Sequence, residues 1–184
     1  MNWLHPYPKA YNLYQLSSRQ EDFEKAYLAA RTLEYRLYPD EIVRQLPYLD
    51  SRHPQAQEWA LRQANTAALL VQLATLPPEA KVLDLGCGNG WFTGRIAASC
   101  PAEVLGADIN ERELLQAASL FATNRCHFAY GDIFDDVWPT QYFEVIMLNS
   151  CIQYFPSLSH LLERLQHLLR PNGYIHILDS PIYD

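Results

Sequence analysis

The chain has 184 residues, enough for one domain with a sizeable core, and 49% apolar with 19% charged residues is the balance of a globular protein. Its 14 Lys+Arg against 21 Asp+Glu give a net charge of −7 with no basic run, which disfavours nucleic acid as a partner, and no apolar run is long enough to span a membrane. Cys87, Cys100, Cys126 and Cys151 form no C-x-x-C pair, so no metal is expected, and a start without a signal-peptide pattern makes a cytoplasmic protein with reduced thiols the expectation.

Residues 1–16, rich in Tyr, Pro and Asn, read as an irregular arm. Phe23, Tyr27, Ala30, Leu33 and Leu37 recur at helical spacing and predict a helix over about 19–38 with that face buried. Ser18 and Glu21 are spaced for a capping box at its start, and Pro39 ends it. A short helix over 40–46 stops before Pro47. A long one over 54–76 carries Trp59, Ala60, Ala67, Leu70 and Leu73 on or near one face and closes at Pro77-Pro78. From Lys81, strands at 81–85, 103–108, 126–130, 142–148 and 174–179 alternate with helices at 91–99, 111–121 and 157–169. Val82-Leu83 and Val145-Ile146-Met147-Leu148 are apolar on both faces, as strands buried in a parallel sheet must be. The expectation is an α/β fold: a Rossmann-like, doubly wound, mostly parallel sheet of about five strands over residues 81–184, behind an N-terminal arm and helical cap, residues 1–80.

The first of those strands runs into Asp84 and three alternate glycines, Gly86, Gly88 and Gly90. Such a loop lets the backbone turn sharply and approach a ligand closely. The acid suits a ligand with a positively charged end and repels phosphate. A dinucleotide fingerprint would need its third glycine at position 91, where Trp91 stands, and no Gly-Lys-Ser/Thr of a P-loop is present. Asp108 ends the second strand, where a carboxylate can accept from both hydroxyls of a ribose. Asp132, after the third strand, is placed to accept from the exocyclic amine of an adenine, with Ile109 and Ile133 sandwiching the base.

These pieces together resemble a class I S-adenosylmethionine-dependent methyltransferase over about Lys81 to Ser180. The Asp84–Gly90 segment matches that family's acid-x-Gly-x-Gly-x-Gly loop. Gly106-Ala107-Asp108-Ile109 is similar to its ribose-binding segment and Gly131-Asp132-Ile133 to its adenine-binding segment. Phe143 to Ser150 resembles its fourth strand, with Glu144 where Asp is usual. Leu169-Arg170-Pro171-Asn172-Gly173 resembles the turn into its fifth, with Asn172 in place of a glycine. The resemblance implies S-adenosylmethionine as cofactor and S-adenosylhomocysteine as product. It implies a cofactor site of Asp84, Gly86, Cys87, Gly88, Gly90, Asp108, Ile109, Asp132, Ile133, Leu148 and Asn149, the backbone at Gly86 and Leu148–Asn149 touching the methionine part.

Gln153 and Tyr154 follow the fourth strand, at the mouth of the expected methyl site, and are candidates for the substrate side. No general base is identified. Cys151 reads as a small core residue, His160 as a surface or cap residue, and His127 and His176 as satisfied structural histidines. Tyr27, Trp59 and Arg62 read as packing and a solvated charge. The Asp179-Ser180-Pro181-Ile182-Tyr183 tail resembles the motif of amino-methylating nucleic-acid enzymes, but follows the fifth strand rather than the fourth and is set aside. The family's last two strands, usually a hairpin beside the fifth, are not expected within these 184 residues. The fifth-strand edge then needs cover from the N-terminal helices, from a second copy in a homodimer, or from a longer chain. The leading reading is a methyltransferase acting on a small-molecule acceptor. The alternatives are a non-catalytic cofactor-binding module with a regulatory or interaction role, and an aminopropyltransferase.

Overall fold

The computed structural model describes residues 1–180, so the tail segment Pro181-Ile182-Tyr183 lies outside the described residues. The arm expected to be irregular contains two short strands, β1 (Lys9–Ala10) and β2 (Leu13–Gln15). Three helices follow: α1 (Glu21–Leu33), α2 (Asp40–Gln45) and α3 (Ala56–Leu73). The predicted alternation then appears as β3 (Lys81–Leu85), α4 (Trp91–Ser99), β4 (Glu103–Asp108), α5 (Glu111–Phe121), β5 (Cys126–Tyr130), β6 (Phe143–Asn149), α6 (Leu158–Leu168) and β7 (Leu169–Leu178).

All seven strands form one sheet in the order β1-β2-β5-β4-β3-β6-β7. Every neighbouring pair is parallel except β1 with β2. The α/β class is therefore as expected, and the count of about five strands is corrected to seven. Strands of two and three residues carry no readable period. They form because β5 has an unpaired edge, on which Leu13 sits opposite Phe128, and because Leu13 and Tyr14 are buried there. At the other edge β7 pairs only with β6 among the described residues. Its entry is irregular, with a register shift at Phe143/Val145 and Asn172 at φ 66°, a left-handed conformation that asparagine tolerates.

Side chains alternate across the sheet into two apolar layers. Leu83 and Leu85 of β3 join Leu105, Ile146, Leu148, Leu161, Leu165 and Leu168 on one face, together with Leu4 and Tyr14 from the arm. Val82 joins Val104, Val145, Met147, Phe92 and Ile96 on the other, covered by Tyr38, Val43, Trp59 and Leu73. The chain leaves β3 toward β4 and β5 on one side and returns through β6 and β7 on the other. This reversal opens a crevice beyond the carboxyl ends of the strands, where such sheets bind ligands.

Three local expectations need correction. None of the residues of α1 is buried, Leu33 is 81% exposed, and its N-cap is Gln20 with no side-chain capping bond, so the Ser18–Glu21 box does not form. Of the predicted stripe, Phe23 and Tyr27 face the crevice instead of the core. In α3, Trp59 and Leu73 are buried as expected, alongside Thr66 and Leu69, whereas Ala60 and Ala67 are exposed. Alanines satisfy either face and so blur the stripe. His127 and His176 are not satisfied: the Nε2 atom of each is buried without a partner. Nε2 of His127 lies 3.7 Å from Glu103, whose carboxylate already serves Lys81 and the terminal amine of Met1. Burial pushes the pKa of both histidines down. His160 is exposed, stacked on Phe134 with ring centroids 4.6 Å apart.

Candidate functional site

The glycine loop joins β3 to α4, and its geometry is imposed by close packing. Gly90 has φ 74°, and a Cβ there would stand 2.5 Å from Cβ of Ala117 and 2.9 Å from the Phe128 ring. Gly86 has φ 71°, and a Cβ there would stand 2.6 Å from Cβ of Cys151. No side chain larger than hydrogen fits at either position. The Gly86 N–H donates to the Ala107 carbonyl at 2.8 Å, tying the loop to the end of β4.

A cavity of about 340 Å³ lies against this loop, a size within the usual range for small-molecule sites. Of the residues expected at the site, Gly86, Cys87, Gly88, Asp108, Ile109, Asp132, Ile133, Asn149, Gln153 and Tyr154 line it. Asp84, Gly90 and Leu148 do not. Asp84 is 1% exposed and accepts from the Thr93 hydroxyl at 2.6 Å, which fastens α4 to β3. Burial raises its carboxyl to about 7. Gly90 and Leu148 serve packing beneath the cavity.

The two rim acids are held differently. Oδ1 of Asp108 accepts from the N–H groups of Ile109 (2.7 Å) and Asn110 (2.9 Å), and Oδ2 accepts from Gly88 N–H at 2.8 Å. Burial pushes the Asp108 pKa up, and these backbone donors oppose it. Oδ1 of Asp132 accepts from Phe134 N–H at 3.0 Å, and Oδ2 accepts from the side-chain amide of Gln20 at 2.6 Å. Asn149 presents an Oδ1 that is buried without a donor.

The opposite wall comes from the N-terminal helices, and sequence reasoning misassigned it. Tyr27, Trp59 and Arg62, read as packing or solvated charge, all line the cavity, as do Phe23 and Arg31. The Tyr27 ring meets Tyr154 edge-on at 5.5 Å and Phe23 stacks on Tyr27 at 6.1 Å, which makes an aromatic roof. Below it Glu58 accepts from Arg36 through both oxygens, at 2.8 and 2.7 Å, and from Arg62 at 3.0 Å. The Arg36 bonds hold the Glu58 carboxyl below its ordinary range. Arg62 also donates to the Ser150 hydroxyl at 3.2 Å, linking α3 to the end of β6. The signal available in the sequence was weak: Tyr27 and Arg31 share one helical face, but nothing local distinguishes a face on a cavity from a face on a core.

Glu113 was also missed. It looks like an ordinary first-turn acid, since Asn110 caps α5 by accepting from Glu113 N–H at 3.1 Å. The residue is nevertheless only 4% exposed and lines the cavity. Burial, then the nearby Asp108 charge, raises its carboxyl to about 7. Cys151 behaves as a core residue: it is buried, its thiol donates to the Leu85 carbonyl at 3.2 Å, and burial pushes its pKa up. Burial likewise holds the Cys87 thiol well above its ordinary value.

Residues 82–173, half of the chain, match a family model described as a methyltransferase domain. The chain is 36% identical over 101 residues to trans-aconitate 2-methyltransferase of Deinococcus radiodurans, covering 54% of this chain and 38% of that one. It is 29% identical over 129 residues to 27-O-demethylrifamycin SV methyltransferase of Amycolatopsis mediterranei, covering 66% of this chain and 47% of that one. It thus spans less than half the length of these curated relatives. Among solved structures, its fold is similar to phosphoethanolamine N-methyltransferase 2 of Haemonchus contortus in complex with S-adenosyl-L-methionine. The TM-score there is 0.56 at 22% identity, with 62% of this chain and 27% of that chain covered. It is also similar to a methyltransferase of Geobacter sulfurreducens in complex with S-adenosyl-L-homocysteine, at TM-score 0.52 and 24% identity over 62% of this chain and 47% of that one.

Proposed function

Because the chain belongs to the methyltransferase-domain family, we propose that it is an S-adenosylmethionine-dependent methyltransferase acting on a small-molecule acceptor. The observation that carries this reading is one cavity in which the glycine loop, the carboxylates of Asp108 and Asp132 and the apolar pair Ile109 and Ile133 converge. These residues fit the cofactor's parts. Ile109 and Ile133 suit the faces of a purine, and Asp132 suits its exocyclic amine. Asp108 suits a ribose hydroxyl. The unpartnered Oδ1 of Asn149 is an acceptor for an ammonium beside the narrow approach at Gly86.

When bound, S-adenosylmethionine supplies a methyl group on a positively charged sulfonium. Around it this chain offers positioning and a shielded space. Tyr27, Phe23 and Tyr154 roof the cavity with rings whose faces favour a nearby cation. Gln153 and Tyr154 stand on the acceptor side, and the buried thiol of Cys151 has no nucleophilic part in this reading. The small-molecule class is supported by the names of the two curated relatives and by the aromatic roof over the cavity.

Titration calorimetry with S-adenosylhomocysteine tests the cofactor. Saturable one-to-one binding is expected, and no detectable heat or thermal shift would sink the reading. Label from methyl-labelled S-adenosylmethionine should then move to a member of a panel of small carboxylates, phenols and amines, and not to nucleic acid.

A further inference from the structure

Asp108 cannot serve both hydroxyls of a ribose in the arrangement it holds. A carboxylate offers about four acceptor positions. Three are taken by the N–H groups of Gly88, Ile109 and Asn110, with both positions of Oδ1 filled. One free position remains, and a vicinal diol has two protons to donate.

Glu113 stands beside it. The residue is 4% exposed, and its Oε2 is buried without a hydrogen-bond partner. That oxygen would lie only 3.3 Å from a Cβ built on Gly88, so it rests against the same glycine whose N–H Asp108 holds. The residue nonetheless lines the cavity. An acceptor left unpaired away from water is costly, and an aliphatic side chain would fill the position without that cost. The last torsion of a glutamate is soft and two-fold, so the carboxyl is free to reorient toward a ligand in the cavity. The groups facing it from the other side are the Tyr27 hydroxyl and the Arg31 guanidinium of α1, with Asp108 and Arg112 nearby.

We propose that Glu113 is the second ribose acceptor: Asp108 takes one hydroxyl of the cofactor and Glu113 takes the other. This rests on the cofactor reading given above. It divides between two elements, the end of β4 and the first turn of α5, a task for which the sequence pattern suggests Asp108 alone.

The test is calorimetry with S-adenosylhomocysteine and with its 2′-deoxy and 3′-deoxy forms, on the wild type, Glu113→Ala and Glu113→Gln. Circular dichroism first establishes that each variant is folded. Glu113→Ala is expected to weaken S-adenosylhomocysteine by roughly tenfold, the usual size for losing a hydrogen bond and leaving its partner unpaired. Glu113→Gln keeps an acceptor oxygen and should stay near the wild type. One of the two deoxy ligands should bind the wild type and Glu113→Ala equally, because the missing hydroxyl is the one Glu113 receives. Equal weakening of all three ligands would mean a structural role and overturn the proposal, as would no weakening at all. Failure of the wild type to bind S-adenosylhomocysteine would instead overturn the cofactor reading itself.

Discussion

Asp84 was expected to face the ligand, and it faces Thr93 instead. The residue type was legible, since an acid at the end of β3 is part of the loop pattern. Its direction was not, because the alternation of a strand does not say which buried polar side chain finds a partner in the next helix. Its environment has a pH consequence. The folded pKa, raised to about 7 by burial, lies above the ordinary 3.8. The folded state therefore holds the proton more tightly. The stability this contributes is complete below about pH 4 and is lost as pH rises through about 7. Asp84→Asn removes the titration and keeps an oxygen for Thr93. Relative to that variant, the wild type should lose on the order of a few kcal/mol between pH 4 and pH 8. Urea midpoints of the two proteins across that range measure it, and parallel curves would refute the assignment. At Asp108 the outcome is of a different kind. Asp108→Ala leaves three backbone donors without an acceptor and, in the cofactor reading proposed above, takes away the acceptor for a ribose hydroxyl, so S-adenosylhomocysteine affinity should fall at least roughly tenfold by calorimetry.

Among the elements, those from β3 to α6 were legible because each carries its own period or its own punctuation. The apolar runs of β3 and β6 and the capping Asn110 and Ser157 are local signals. The N-terminal elements were legible only in part. β1 and β2 are too short to show a period and exist through the edge of β5. α1 has the stripe of a core helix, but Phe23 and Tyr27 of that stripe roof a cavity and Leu33 is exposed. The glycine loop gives the sharpest test at this scale. Gly90 is held left-handed between Ala117 and Phe128, so Gly90→Ala combines backbone strain with overpacking. The expected cost is about 2–4 kcal/mol, read as a lowered denaturation midpoint. An unchanged midpoint would mean that α4 and α5 can separate without loss.

For the molecule as a whole, the residues before and after residue 80 share both core layers. Tyr38, Val43, Trp59 and Leu73 pack in one layer with Val82, Val104 and Val145, and Leu4 and Tyr14 in the other with Leu83 and Ile146. We expect the cap and the sheet to unfold together. Tryptophan fluorescence, which includes Trp3 and Trp59 of the N-terminal part, should follow the same urea transition as the far-ultraviolet signal of the helices and sheet. Two separated transitions would show an independently folding cap.

The sequence by itself determined the α/β class, the existence of the five strands β3 to β7, the glycine loop and the positions of the acids Asp108 and Asp132. Those features rest on local period, on backbone conformations only glycine adopts cheaply, and on spacing along one strand–helix–strand unit. Only the tertiary structure decided which polar groups reach the cavity. It turned Asp84 inward, brought Glu113 beside Gly88, and laid Tyr27, Trp59 and Arg62 across the site from helices more than twenty residues distant in the chain from Asn149. Burial and partnership are properties of what packs against a side chain, and the chain order does not carry them.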